Sequence, residues 1–151
     1  MKTNKLILGI AALALLACNK EKQPELPVAV AADYKGVATV EASSGTFESE
    51  DIEVNFTPSE DGKTATITIF KIRFAPKMPM TVDVTIPNVE LTSMKDGILL
   101  ACDNVIPQAL GGDFPQYTVT AMTGTVKDDE IAFSLNFGST PTSYKGTKQA
   151  K

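Results

Sequence analysis

Along residues 33–151 apolar and polar residues alternate with a period of two, and turn-forming residues break the alternation about every eight to twelve positions. In YKGVATVEA, Tyr34, Gly36, Ala38 and Val40 share one side. EDIEVNFTP follows with Ile52, Val54 and Phe56 inward and its acids outward, and Asp61-Gly62 then supplies a pair that accepts the positive backbone angles of a hairpin. The returning stretch is TATITIFKIRF. Ala65, Ile67 and Ile69 share one parity there while Phe70, Ile72 and Phe74 share the other, so the phase slips by one residue and predicts a β-bulge near Phe70.

MTVDVTIPNVEL sets Met80, Val82, Val84 and Ile86 on one face. Pro87 has no N–H to donate to a ladder, so this strand is expected to kink there or to run along an edge. DGILLAC reads as a fifth strand with Ile98, Leu100 and Cys102 inward, and regularity then fails from Asp103 to Pro115. QYTVTAMTGTV and EIAFSLNFG form a hairpin around KDDE, with Ile131, Phe133, Leu135 and Phe137 inward, and TSYKGTK is the eighth strand. Tyr34-Lys35-Gly36 and Tyr144-Lys145-Gly146 echo each other, too briefly to count as a repeat. Eight short strands without a long helical period predict an all-β domain: an eight-stranded antiparallel up-and-down barrel or, alternatively, an immunoglobulin-like β-sandwich.

The first residues follow a different rule. Lys2 and Lys5 precede an uncharged run, Leu6 to Ala17, that is about half the roughly 20 residues a spanning helix needs, which is the layout of an export signal. Its end, Leu15-Leu16-Ala17-Cys18, resembles the bacterial lipoprotein signal, with leucine three places before the cysteine and alanine just before it. That resemblance implies removal of residues 1–17 and acylation of Cys18, which becomes the first residue of the mature chain. An acylated Cys18 is an anchor and not half of a disulfide, leaving Cys102 as a lone thiol that burial would protect. Residues 18–32 then read as the lipidated cysteine and a tether, with two prolines and mixed charges in NKEKQPELPVAV, and residues 33–151 as the domain. Asn19 is not the aspartate that, in well-studied lipoprotein sorting, retains proteins at the inner membrane, so the expected address is the outer membrane, on its periplasmic face or at the cell surface.

Charge and composition narrow the function. Cleavage removes two of the 14 basic residues and none of the 18 acidic ones, taking the net charge from −4 to −6. That argues against nucleic acid, whose phosphates require basic patches. The chain has no histidine, which removes the side chain most used as a general base near neutral pH and the commonest metal ligand. With one cysteine left in the domain, a zinc site is not expected, and neither is a metal or other cofactor. Asp128, Asp129 and Glu130 stand in a turn without the spacing of a calcium loop. Ser43-Ser44-Gly45 has no base and no strand-to-helix elbow, and Arg73 shares parity with Lys71 away from the apolar positions. An enzyme is therefore not expected.

YKG at the first strand, DGKTATITIFKIRF, VDVTIPNVEL and the TGTVKDDEIAFSLNF hairpin together resemble the calycin-like, lipocalin-like domains found in lipoproteins of Gram-negative gut bacteria. The resemblance spans nearly the whole domain and rests on alternation and turns. It implies an eight-stranded barrel; relatives in the wider calycin group bind small apolar molecules inside it. An eight-stranded barrel has room for a packed core or for one small ligand. For a ligand, the candidate lining is Phe56, Phe70, Phe133 and Phe137, with Leu110 and Phe114 on a lid over Asp103–Pro115 hinged at Gly111-Gly112. More often such phenylalanines simply fill the core, and such a segment is a plain connection whose apolar residues cap it. Two functions follow: a lipid-anchored, non-enzymatic envelope protein binding a small apolar ligand inside a barrel, or an interaction module with a filled core that meets a protein or glycan on its outer surface.

Overall fold

The computed structural model describes residues 26–150 of the chain, so the signal segment and Cys18 lie outside the described residues. The alternating runs form strands because Val, Ile and Thr pack well on a pleated surface with one side dry and one wet. β1 (Ala32–Ala42), β2 (Gly45–Pro58), β3 (Thr64–Ile72), β4 (Val82–Met94) and β5 (Gly97–Cys102) come first. A small side hairpin, β6 (Gln108–Ala109) with β7 (Gly112–Asp113), interrupts the series before β8 (Val119–Lys127), β9 (Glu130–Phe137) and β10 (Thr140–Lys148). All neighbours are antiparallel, β3 pairs with β4, and β10 pairs back onto β1, so the eight longer strands close into one up-and-down barrel of calycin-like architecture. Because a single sheet continues around the ring, the two-sheet sandwich alternative is excluded.

Closure requires strong coiling, and bulges provide it. The register slips at Asp51 in β2, Lys71 in β3, Asn88 in β4 and Ala121 in β8, each a non-glycine residue with φ between 52° and 58°. Two of the bulge amides are held by carboxylates: Lys71 N–H donates to Asp83 Oδ1 and Ala121 N–H to Asp103 Oδ1, both at 2.9 Å. Pro87 sits beside Asn88, where a missing N–H costs nothing to the ladder. The expected bulge near Phe70 is present, with a consequence for Phe70 itself. Ile69 faces in, Lys71 takes the extra place, and Ile72 and Phe74 resume the inner face, so Phe70 stays half-buried outside the core. Met80, expected inward, precedes β4 and is exposed.

The echoing YKG triplets meet at the seam. Gly36 pairs directly with Gly146, and a Cβ on Gly36 would stand 1.9 Å from the Lys145 carbonyl oxygen. A Cβ on Gly146 would strike the ring of Tyr144, whose phenol donates to the Ile52 carbonyl of β2, the residue paired with Gly36, at 2.8 Å. The two glycines thus admit both the close approach of β1 to β10 and the tyrosine that lies along it.

The segment expected to be irregular is partly built. β5 covers only the Glu90–Met94 half of β4, and the wall beyond it is completed by Val105, bridged to Val119, and by Gln108 of β6, paired with Thr85. A 3-10 turn at Pro115–Tyr117 follows. At the opposite end, the last residues of the stretch read as a tether lie on the barrel: Ala29 packs on the core and Ser93 Oγ donates to the Pro27 carbonyl at 2.9 Å.

The seam makes a direct prediction. Gly36→Ala should lower the unfolding free energy by about 2–3 kcal/mol, the scale of overpacking at a site that cannot yield. Gly112→Ala, where a Cβ meets nothing within 4 Å, should change it little; urea unfolding of both variants checks this.

Candidate functional site

Three places in this fold could carry function: the interior, the two ends, and the outer wall. The interior is the expected ligand site, and its filling is measurable. A side chain that lines a space wide enough for a water molecule keeps accessible surface toward it, yet Phe56, Phe137, Ile67, Ile86 and Val89 are each 0 % exposed. Phe133, Leu135, Leu100 and Met122 complete the packing.

The end toward residues 103–118 is closed by aromatic rings. Phe74 stacks on Tyr117 with ring centres 4.4 Å apart and meets the edge of Phe137 at 5.0 Å, while Phe114 stacks on the other side of the group at 5.0 Å from Tyr117. Such offset and edge-on pairs add to area burial. No sequence motif marks Phe74 and Tyr117 as a pair. The parity of Phe74 in TATITIFKIRF marked it as inward, but nothing local connects it to Tyr117 across 43 residues of chain.

The six candidate lining residues therefore do not converge on one space. Phe56, Phe133 and Phe137 are core, Phe70 stands outside it, Phe114 belongs to the aromatic closure, and Leu110 is 67 % exposed at the tip of the side hairpin. Of these, Leu110 borders a surface depression of about 770 Å³ that lies outside the barrel between β4 and the β6–β7 hairpin. Lys71, Thr81, Asp83, Thr85 and Gln108 line it with donors and acceptors. Phe133 borders a second, about 410 Å³, on the outer side of β1, β8, β9 and β10 among Val37, Thr39, Ala132, Ser134 and Ser143. A third, about 350 Å³, lies under the N-terminal arm between Tyr34, Ile98, Lys95 and Lys148.

The titrating groups are mostly solvated. Asp128, Asp129, Glu130 and Arg73 are exposed, as is the Ser43-Ser44-Gly45 turn. Among the described residues, no three His, Cys, Asp or Glu side chains stand together where they could hold a metal ion. Asp61 lies below its ordinary carboxylate value because it accepts from Ser59 Oγ at 2.6 Å and from Lys63 N–H at 3.0 Å, which shapes the β2–β3 turn. Tyr144 is raised, by burial first and then by Glu53, and Tyr34 is raised by burial and by Asp129.

Cys102 is buried as its alternation with Ile98 and Leu100 predicts, and its thiol points to Met122 Sδ at 3.5 Å. Burial, then Asp103 and Glu90, push this thiol from its ordinary 9.0 up to about 11. It is a protected, protonated core group and not a nucleophile.

Set against family models, curated proteins and solved structures, the chain matches none of them. The structure defines a class: a closed eight-stranded antiparallel barrel with a packed interior.

Cys102 and Tyr144 both keep their protons longer in the folded than in the unfolded chain. In the window from 9.0 to about 11 the unfolded chain therefore binds fewer protons, so stability should be level below it and fall as pH rises through it. Urea midpoints measured across that window should drop, and Cys102→Ala should shallow the slope. At about pH 8, iodoacetamide should label Cys102 only after unfolding.

Proposed function

We infer that this chain is a non-enzymatic, lipid-anchored protein of the outer membrane, whose barrel is a filled, rigid module that engages a protein or glycan on its outer surface. The observation that carries this over an internal ligand is the absence of accessible surface on the central side chains, Phe56 and Phe137 above all. The anchor rests on the Leu15-Leu16-Ala17-Cys18 pattern. Several acyl chains hold a protein on a membrane far more firmly than one. The domain's surface is then free for recognition, and the polar groove beside β4 offers a place for it. There Lys71, Asp83, Thr85 and Gln108 offer fixed hydrogen-bonding groups, and Leu110 an apolar contact. Asp83 is itself fixed by the Lys71 bulge amide, so its position does not depend on a partner.

Two measurements test the reading. Cys18→Ala should move the protein from the membrane fraction to the soluble fraction; continued membrane association would overturn the anchor. Denaturing the native protein purified from envelopes and examining the extract by mass spectrometry should release no stoichiometric small molecule. A one-to-one apolar compound set free on unfolding would overturn the filled-module reading in favour of a carrier.

A further inference from the structure

We propose that the barrel end crossed by the N-terminal arm faces the lipid bilayer, with Leu26, Val28, Val30 and Met94 resting on it; the proposal rests on the lipid anchor at Cys18. The arm, Leu26 to Ala31, has no regular secondary structure, and its residues alternate. Pro27 and Ala29 are half-buried toward the barrel, whereas Leu26, Val28 and Val30 turn away and are 53 %, 80 % and 66 % exposed. A surface segment in water normally carries its polar groups on the outward side. Here the outward side is three large apolar side chains in succession, without a charge or hydroxyl among them. The arm is also held in place, by the Ser93 bond to Pro27 and by Ala29 against the core, so this face is a fixed feature of the fold. Met94, next to Ser93 on β4, is exposed on the same rim.

The chain itself indicates what covers the face. Eight peptide units separate Leu26 from Cys18, and at most about 3.6 Å per residue they hold Leu26 within roughly 29 Å of an acylated cysteine. The other end of the barrel lies a strand length further, since β1 runs away from the arm for 11 residues. The tether therefore presents the arm end to the membrane and leaves the aromatic-closed end and the groove by Leu110 pointing outward. Rim charges are mixed, Lys63, Lys95, Lys127 and Lys148 against Glu60, Asp61, Asp96, Asp128, Asp129 and Glu130. Contact is thus apolar in origin, and the orientation should not depend on salt or on anionic lipid. The acyl chains retain the protein; the arm sets which way it faces.

The chain contains no tryptophan, so one introduced indole reports its own surroundings. Full-length protein with Val28→Trp, or with Leu26→Trp as a second reporter on the same face, is processed in cells and reconstituted in phosphatidylcholine vesicles carrying acyl-brominated lipid. Ser44→Trp, in the exposed β1–β2 turn, marks the far end. Emission from the arm indole should fall about twofold with brominated lipid and shift to the blue, at low and high salt alike, while Ser44→Trp stays unchanged. Unquenched arm indoles in vesicle-bound protein, or equal quenching at both ends, would overturn the orientation alone. Mass spectrometry of the N-terminal peptide from the same samples separates the two ideas, because an unacylated Cys18 would remove the anchor and the proposal together.

Discussion

Everything in this domain depends on the sheet meeting itself. An eight-stranded sheet closes only if its strands coil and tilt enough for the first to reach the last, and regular pleated strands do not coil that far without local irregularity. Here the irregularities are bulges at Asp51, Lys71, Asn88 and Ala121, and a seam at which Gly36 and Gly146 let two backbones pass side by side. Left-handed backbone at four non-glycine residues costs free energy. It is offset by the ladder that closure completes, and at Lys71 and Ala121 by carboxylates that take up the bulge N–H groups.

Closure then decides what the interior can be. A ring of eight strands has room for a packed core or for one small ligand, and this one holds Phe56, Phe133, Phe137 and Tyr144 with a surround of Ile, Leu and Val. The tyrosine is the least replaceable of these, since its phenol must find the Ile52 carbonyl and its ring needs the absence of a side chain at position 146. Aromatic rings from three separate stretches, around Phe74, Phe114–Tyr117 and Phe137, close one end. An apolar arm crosses the other. On the outside of the wall the short β5 leaves a gap, which the β6–β7 hairpin fills while framing a groove.

Much of this was legible in the chain. The eight barrel strands and their inward faces follow from period-two alternation, because each misplaced residue would put an apolar group into water, whereas β6 and β7 lie in the stretch without alternation. The slip of parity in TATITIFKIRF announces a bulge, and DGILLAC announces a buried Cys102. The fate of Phe70 was not legible. Parity shows that a slip occurs but not which residue absorbs it, and the choice of Lys71 rests on the Asp83 carboxylate from the neighbouring strand. The YKG echo was visible yet without meaning until register placed Gly36 opposite Gly146. The candidate ligand residues are aromatic or apolar, a property shared by core, closure and pocket alike, so the sequence cannot sort them.

The sequence by itself determined the all-β character, the eight barrel strands and the acidic, histidine-free chemistry, because these depend on local alternation and composition. Only the tertiary structure decided that the sheet is one closed ring, that its interior is full, and that the arm and the side hairpin lie where they do. Those outcomes are set by distances between residues far apart in the chain: how closely β1 approaches β10, whether Phe74 meets Tyr117, and whether Ser93 reaches Pro27. Alternation along one strand carries no information about any of them.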